Sequence, residues 1–340
     1  MKERITTQRW GKHQEKEVYL FRIENTDGTF VELTNYGASM VSIHVPDRKG
    51  ELGNVVLGFP SLEGYVQDRS YVGATIGRFA NRIKGAEFTL DGKRYVLEDN
   101  DHGNSNHGGT SGFHAKVFDF EVGEDQLTFH LHSPNGEGGY PGNLRLSVSY
   151  SWNEHHEMYI HYTAHTDQKT ITNFTNHAYF NLSSEAQSIL DHELNIEAQE
   201  MLEMGADFIP TGKIIPVAHI DFSQDKIRSK MTFRNDTVKG LNSCYVLDRK
   251  TEKPDAILMD ASSGRKMEVF TSYPGMLLYT GDYLFSQVPG HHSKNYKAFD
   301  GLCLECQYYP DSPHHPHFPS SILEVGQLYD EFIKLRFNTF

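Results

Sequence analysis

Two short motifs each supply a residue that could transfer a proton. His177 lies in residues 175–182 (TNHAYFNL), and Glu305 lies in residues 301–307 (GLCLECQ). An imidazole and a carboxylate together can move two protons, which is the basis of general acid–base catalysis. Both motifs read as β-strands, and a strand holds a side chain more rigidly than a loop does. The sequence therefore predicts acid–base chemistry on a scaffold of strands.

Composition and charge exclude some classes of ligand and partner. The chain has 340 residues and a net charge of −13. Binding nucleic acid needs a clustered basic face, which this sequence lacks. No segment approaches the ~20 apolar residues of a membrane span, and residues 1–10 have no apolar stretch suited to export. We expect a cytoplasmic protein with a small, neutral ligand, no nucleic-acid or membrane partner, and either a monomeric or a homodimeric state.

Apolar and polar residues alternate along most of the chain, which predicts an all-β fold. The clearest runs are residues 127–131, 144–150 and 158–164. Residues 87–90 and 93–97 flank Asp91 and Gly92, a pair typical of a two-residue hairpin turn because both positions need positive φ. Further strands are expected at residues 18–23, 30–34, 38–45, 54–58, 71–77, 117–122, 241–247, 266–271, 275–280, 301–308 and 331–338.

Helix is scarce in this pattern. Only residues 61–66 and 197–204 have the composition of short helices. No linker rich in Pro, Gly or Ser divides the chain, and strands follow one another from end to end. The sequence therefore predicts one domain over residues 1–340, built as a large antiparallel β-sandwich.

The three cysteines are expected to be reduced and structural. Cys244, Cys303 and Cys306 cannot all pair within one chain and are too few to stabilise a fold of this size. Cys303 and Cys306 have the Cys-x-x-Cys spacing of redox and zinc sites. On a strand, however, alternation places Cys303 with Glu305 on one face and Cys306 on the other, so the two thiols point apart.

Several motifs in order resemble the aldose 1-epimerase family, also called galactose mutarotases. They are residues 77–83 (GRFANRI), the hairpin at 87–98, residues 106–109 (NHGG), residues 175–182, residues 279–281 (YTG) and residues 301–319. The resemblance extends from about residue 35 to the C-terminus. It implies a β-sandwich with an open sugar cleft, and interconversion of the α and β anomers of a free aldohexose such as glucose or galactose. It also implies that no metal or organic cofactor is needed.

The resemblance also implies roles for individual residues. Glu305 matches the general base and His177 the general acid. The positions that match sugar contacts are Asn81, Arg82 and His107, with Tyr179 beside the acid, while Arg78 is expected to be structural.

The chain departs from the family pattern at two positions. Asn242 stands where many members have an aspartate that binds a sugar hydroxyl, and an amide can still accept that hydrogen bond without the charge. Leu277 stands where some members have a polar sugar contact. These departures concern the rate and the choice of sugar rather than the reaction.

Two other classes of function remain open from the sequence. His107, His177 and Glu305 could form a three-ligand zinc site of a hydrolase, although no short His-x-His or His-x-x-x-His spacing joins them. Alternatively, the chain could be a carbohydrate-binding or sugar-sensing protein that keeps the fold without catalysis. The presence of both Glu305 and His177 argues against that alternative.

Overall fold

The computed structural model describes residues 4–184, 187–217, 223–234, 237–248 and 253–340. Strands dominate these ranges, which confirms the predicted all-β class. The helix α1 (Leu62–Gln67) confirms the helix predicted at residues 61–66. Short 3₁₀ turns lie at Lys84–Ala86, Phe113–Ala115, Glu137–Gly139, Ile189–Asp191, Ile227–Lys230 and Ser312–His314. Within the described ranges, every helix is too short and too polar to cross a bilayer.

The strands are numbered here in chain order. The N-terminal third contains β1 (Ile5–His13), β2 (Lys16–Glu24), β3 (Phe30–Thr34), β4 (Ser39–Pro46), β5 (Leu52–Asn54), β6 (Thr75–Ile76), β7 (Arg82–Ile83), β8 (Glu87–Leu90), β9 (Lys93–Val96) and β10 (Ser105–Asn106). The middle contains β11 (Asp119–Val122), β12 (Gln126–Ser133), β13 (Leu144–Trp152), β14 (Glu157–Thr166), β15 (Thr170–Ile171), β16 (Thr175–Asn176), β17 (Glu193–Ile196), β18 (Glu200–Met204) and β19 (Pro210–Pro216). The C-terminal part contains β20 (Ser223–Lys226), β21 (Thr232–Arg234), β22 (Thr237–Lys239), β23 (Asn242–Val246), β24 (Ala256–Asp260), β25 (Arg265–Thr271), β26 (Gly275–Tyr279), β27 (Cys303–Gln307), β28 (Ile322–Leu323) and β29 (Tyr329–Thr339).

Three antiparallel sheets form the body of the sandwich. A nine-stranded sheet has the order β11-β12-β13-β14-β29-β25-β24-β17-β20, and two five-stranded sheets have the orders β1-β2-β3-β4-β5 and β19-β18-β23-β26-β27. All three contribute to one buried apolar core, for example through Phe21, Val148 and Leu278. The antiparallel sandwich predicted from the sequence is therefore confirmed.

Strand β27 separates that core from a second buried region. Leu304 and Cys306 point into the main core. Cys303 points to the opposite side, where it joins a second apolar cluster that also contains Cys244. Glu305 shares the face of Cys303 by alternation. All three cysteines are free and buried, and Cys303 and Cys306 lie on opposite faces of the strand, as predicted.

The predicted hairpin is confirmed, whereas one predicted helix is wrong. Asp91 and Gly92 both have positive φ between the paired strands β8 and β9. Residues 197–204, predicted as helix, instead contain β18, which pairs with β19 on one side and β23 on the other. Glu, Leu and Met have good helix propensity, but two flanking strands outweigh that weak preference.

Three predicted strands are much shorter than expected. Residues 54–58 share only Asn54 with β5. Residues 71–77 contribute only β6, and residues 175–182 contribute only β16, which pairs with β6. His177 therefore follows a strand rather than lying in one. The segment after β16 is nonetheless fixed, because its backbone bonds to three separate neighbours instead of one.

Candidate active site

All of the predicted site residues line one cavity of about 530 Å³. They are Asn81, Arg82, His107, His177, Tyr179, Asn242 and Glu305. A volume of this size is typical of small-molecule sites. Residues that lie far apart in the sequence are thus brought together. Asn242 and Glu305 belong to the β19-β18-β23-β26-β27 sheet, and the other residues come from separate segments.

Glu305 lies in the floor of the cavity with apolar neighbours on the same sheet face. It pairs with Leu277 on β26, which in turn pairs with Cys244 on β23. Burial in this environment raises the pKa of Glu305 to about 8, and the positive charge of Arg82 opposes the shift. Among the described residues, Glu305 Oε2 is buried with no hydrogen-bond partner. Such an atom is available to a ligand.

The backbone around His177 holds the imidazole beside this carboxylate. His177 donates its backbone N–H to Ala74 and accepts from Gly73, and Phe180 exchanges two backbone hydrogen bonds with Leu302 just before β27. His177 Nε2 lies 3.7 Å from Glu305 Oε1. Burial lowers the pKa of His177 to about 4.

The opposite wall is built from loops joined by a two-residue ladder. Strand β7 pairs with β10, so Asn81 before β7 faces His107 after β10. The backbone N–H of Asn81 donates to His107 Nδ1 at 3.2 Å, and the backbone N–H of His107 donates to the Asn81 carbonyl at 3.2 Å. Both residues have left-handed backbone, with φ of 66° and 52°. Gly108 follows with φ of 82°, and a Cβ there would lie 2.1 Å from the Gly77 carbonyl oxygen, so only glycine fits.

The contact with Asn81 fixes the tautomer of His107. A backbone N–H can only donate, so Nδ1 must carry a lone pair and Nε2 must carry the hydrogen. Burial, and secondarily the charges of His177 and Arg82, lower the pKa of His107 well below its usual value. His107 is therefore a neutral hydrogen-bond donor through Nε2.

The two arginines of residues 77–83 have different environments. Arg82 lines the cavity and forms an ion pair with Asp101, in which Nε donates to Oδ2 at 2.7 Å. Arg78 is buried away from the cavity lining and donates to the carbonyls of Ser133, Pro141 and Gly142. The structural role expected for Arg78 agrees with these contacts.

Tyr179 and Asn242 contribute differently to the cavity. The Tyr179 hydroxyl donates to the Ser70 carbonyl at 3.0 Å, while its ring packs against His177 with centroids 5.1 Å apart. Asn242 begins β23, opposite Tyr279. Its Oδ1 atom is buried and has no hydrogen-bond partner among the described residues. Asn242 therefore offers a second buried acceptor in the cavity.

Other lining residues were not identified from the sequence. They include Arg69, Ser70, Tyr71, Asp101, His102, Phe208, Tyr283 and Phe285. Tyr71 has a φ of 59°, and its ring lies 4.7 Å from that of His107 and 5.7 Å from that of His177. These residues are in loops, where no periodicity marks the side that faces a cavity. Cys303 was also missed as a neighbour of His177, although strand alternation places it on the face of Glu305.

The zinc alternative can be tested on the same geometry. One potential ligand atom from each of His107, His177 and Glu305 lies within 4.8 Å of the others. The three residues thus come together despite their unfavourable spacing. To bind a metal through Nε2, however, His107 would have to move its hydrogen to Nδ1 and lose the hydrogen bond from Asn81. The donor set therefore fits a hydrogen-bonding wall better than a metal site.

Comparisons with known proteins agree with this architecture. The aldose 1-epimerase family profile matches residues 19–336. The galactose mutarotases of Bos taurus and Homo sapiens are each 38% identical to this chain, over 92% and 91% of both partners, respectively. The aldose 1-epimerase of Escherichia coli K12 is 32% identical over 94% of both chains.

Solved structures give the same result. The GalM/aldose epimerase homologue from C. elegans superposes with a TM-score of 0.88 at 29% identity, covering 94% of this chain and 98% of that one. A galactose 1-epimerase from Lactobacillus acidophilus has the same fold, with a TM-score of 0.84 at 24% identity and 98% coverage of both chains. This chain belongs to the aldose 1-epimerase family.

Proposed function

We propose that this protein is an aldose 1-epimerase that interconverts the α and β anomers of a free aldohexose such as glucose or galactose. The observation that carries the proposal is the buried pair of His177 and Glu305, 3.7 Å apart in a cavity with polar walls. One group handles the proton of the C1 hydroxyl, and the other handles the proton of the ring oxygen. No other reagent is required, so we expect no metal or organic cofactor.

The reaction follows from two proton transfers. Glu305 removes the proton from the C1 hydroxyl while protonated His177 donates a proton to the ring oxygen, and the bond between C1 and the ring oxygen breaks. The resulting aldehyde rotates about its C1–C2 bond. Ring closure from the other face reverses both transfers and returns the pair to its starting state.

Burial of the pair assists ring opening. The raised pKa of Glu305 and the lowered pKa of His177 both favour the uncharged forms of the two groups. At neutral pH the pair then binds one proton in total, on Glu305 or, in the ionised form, on His177. Ring opening converts the ionised pair into the uncharged pair. The apolar floor therefore stabilises the pair after ring opening relative to the ionised pair from which ring opening starts.

The wall supplies fixed donors for the sugar. His107 donates through Nε2–H, and the guanidinium of Arg82 lines the same cavity. The Asn81 side-chain carbonyl accepts from the backbone of Arg82, which leaves its amide hydrogens for a sugar oxygen. Donors fixed before the substrate binds need no reorganisation as charge shifts to the ring or hydroxyl oxygens. Tyr179 acts by packing against His177.

Asn242 and Leu277 adjust the choice of sugar. The buried Asn242 Oδ1 atom accepts from a sugar hydroxyl, as a neutral contact where many family members have a charged one. Leu277 adds no polar contact and lies directly beside Glu305 in the sheet. We therefore expect a relaxed or shifted preference among aldoses.

Polarimetry on freshly dissolved α-D-glucose and α-D-galactose tests the function directly. The expected result is a rate of mutarotation well above the spontaneous one, unchanged by a chelator. Binding without an increase in rate would favour the carbohydrate-binding alternative. Activity lost with the chelator and restored by zinc would favour a metal site. A cytoplasmic location and a monomeric or dimeric state remain predictions.

A further inference from the structure

Cys303 contacts the second ring nitrogen of His177. Its Sγ atom lies 3.5 Å from His177 Nδ1, within hydrogen-bonding range of a sulfur atom, and both side chains are buried. The opposite nitrogen, Nε2, lies 3.7 Å from Glu305 Oε1, which is too long for a hydrogen bond. One strand, β27, therefore places a residue at each side of the same imidazole.

The tautomer of His177 decides whether it can exchange protons. After Nε2 has donated its proton to the ring oxygen, the neutral ring must carry its remaining hydrogen on Nδ1. If that hydrogen moved to Nε2, the ring could not take a proton back from the sugar. A productive cycle thus needs a group that accepts the Nδ1–H.

We propose that the sulfur of Cys303 accepts the Nδ1–H of His177 and keeps Nε2 free for proton exchange with the substrate. This inference rests on the proposed function of the site. Cys303 does not touch the sugar in this account, so it is a positioning residue. It differs from the wall, where the backbone of Asn81 imposes the opposite tautomer on His107.

A thiol suits this position because it is a weak acceptor. Burial raises the pKa of Cys303 well above its usual value, so the group stays a neutral thiol. A carboxylate in its place would stabilise the imidazolium strongly and make His177 a poor acid. A weakly accepting sulfur fixes the ring without that penalty.

The other side chains around His177 do not replace this contact. The titratable neighbours are Glu305 on β27, Tyr279 on β26, Tyr179 on the segment of His177 itself, His114 in the 3₁₀ turn Phe113–Ala115, and Tyr71 and His107 on loops. Burial raises the pKa of the three tyrosines and lowers that of the two neighbouring histidines, so these five groups are uncharged near pH 7. The ring also interacts with its own backbone, which raises its pKa. Glu305 is the acidic group of this set.

The test combines ¹⁵N NMR of labelled histidine with steady-state polarimetry. The His177 signals are assigned as those lost in His177→Asn. In the wild-type protein near pH 7, we expect a protonated Nδ1 and an unprotonated Nε2. In Cys303→Ala, part of the population should shift to the Nε2–H tautomer, and kcat should fall about tenfold with little change in KM. In Cys303→Ser, the stronger oxygen acceptor should keep kcat within about threefold and move the low-pH limb of the rate profile to higher pH.

Cys306→Ala is the matched control. Cys306 is on the same strand and equally buried, but it points into the main core away from His177. We expect this variant to lose stability while its His177 tautomer, kcat and pH limbs remain those of the wild type. Unchanged ring shifts and kcat in Cys303→Ala, or equal losses of kcat in both alanine variants, would contradict the proposal. A wild-type protein without mutarotase activity would contradict the proposed function instead, and the ring shifts would still report the tautomer.

Discussion

The floor and the wall of the cavity are built in different ways. We define the floor as Asn242, Leu277 and Glu305, which lie on the adjacent strands β23, β26 and β27. We define the wall as Asn81, Arg82 and His107, of which Arg82 begins β7 and the other two lie on loops beside the short β7–β10 ladder. The floor is positioned by strand register. The wall is positioned by left-handed backbone and by the reciprocal hydrogen bonds between Asn81 and His107.

The two regions also differ in whether their titratable groups change protonation state near neutral pH. On the floor, burial raises the pKa of Glu305 to about 8, so this group can gain or lose a proton near neutral pH. On the wall, burial lowers the pKa of His107 well below its usual value, and this group keeps one protonation state. In the proposed mechanism, the floor and His177 above it exchange protons, while the wall holds the oxygen atoms of the sugar in place.

The largest effects are expected where protons are exchanged. Glu305→Gln and His177→Asn should each lower kcat by roughly 10²- to 10⁴-fold, because each removes one of two required proton transfers. Both replacements keep the approximate size of the side chain, so the fold should persist. Polarimetry gives the rates, and circular dichroism checks the fold.

The double variant examines whether the two groups act together. Glu305→Gln combined with His177→Asn should have a kcat only slightly below that of the less active single variant, because the paired proton transfers fail when either residue is missing. Multiplicative losses would indicate two independent contributions. Near wild-type turnover in either single variant would remove that residue from the mechanism.

A smaller effect is expected on the wall. His107→Leu removes the Nε2–H donor and should lower kcat by roughly 10²-fold, comparable with the loss of one preorganised donor. His107→Gln, which can place an amide hydrogen in the same region, is the matched variant and should recover part of the loss. Neither substitution should move the pH limbs by much. A large shift of the pH limbs in His107→Leu would mean that the wall takes part in proton exchange. It would contradict the distinction between the floor and the wall.

The pH dependence should report the pair. Below about pH 4 His177 gains a proton while Glu305 already carries one, and above about pH 8 Glu305 loses the only proton of the pair. The form with one proton is active, so the rate should fall on both sides, about tenfold per pH unit far from the plateau. The two limbs belong to the coupled pair rather than to single residues. A rate that stays flat from pH 3 to pH 10 would contradict the assignment.

The same division explains what the sequence could predict. Alternation along residues 301–308 correctly places Glu305 and Cys303 on one face, because side-chain direction in a paired strand follows a period of two. The wall has no such period, and Asn81 and His107 could be identified only through motifs shared with the family. His177 was predicted less well than the floor residues and better than the wall residues. Its motif was identified, but the predicted strand was wrong beyond Asn176, because the following backbone bonds to three different partners.

The smallest effect is expected at Asn242, where the floor departs from the family pattern. A hydrogen bond to a charged acceptor contributes about 1.5–3 kcal/mol, against about 0.5–1.5 kcal/mol for a neutral one. Asn242→Asp should therefore raise kcat/KM for glucose or galactose by roughly tenfold, since ~1.4 kcal/mol corresponds to one decade. The pH limbs should stay in place, because Asn242 exchanges no proton in the mechanism.

Asn242→Ala is the companion variant, because it removes the acceptor and should lower kcat/KM on the same sugars. Steady-state polarimetry on glucose, galactose, arabinose and xylose makes the comparison. If Asn242→Asp lowers efficiency on every one of these sugars, the amide is an adaptation to a different substrate and not a weakened form of the family contact. In that case the Asn242 amide nitrogen would donate to a sugar oxygen, a contact that a carboxylate cannot make, and the floor would determine which sugar binds as well as how its protons move.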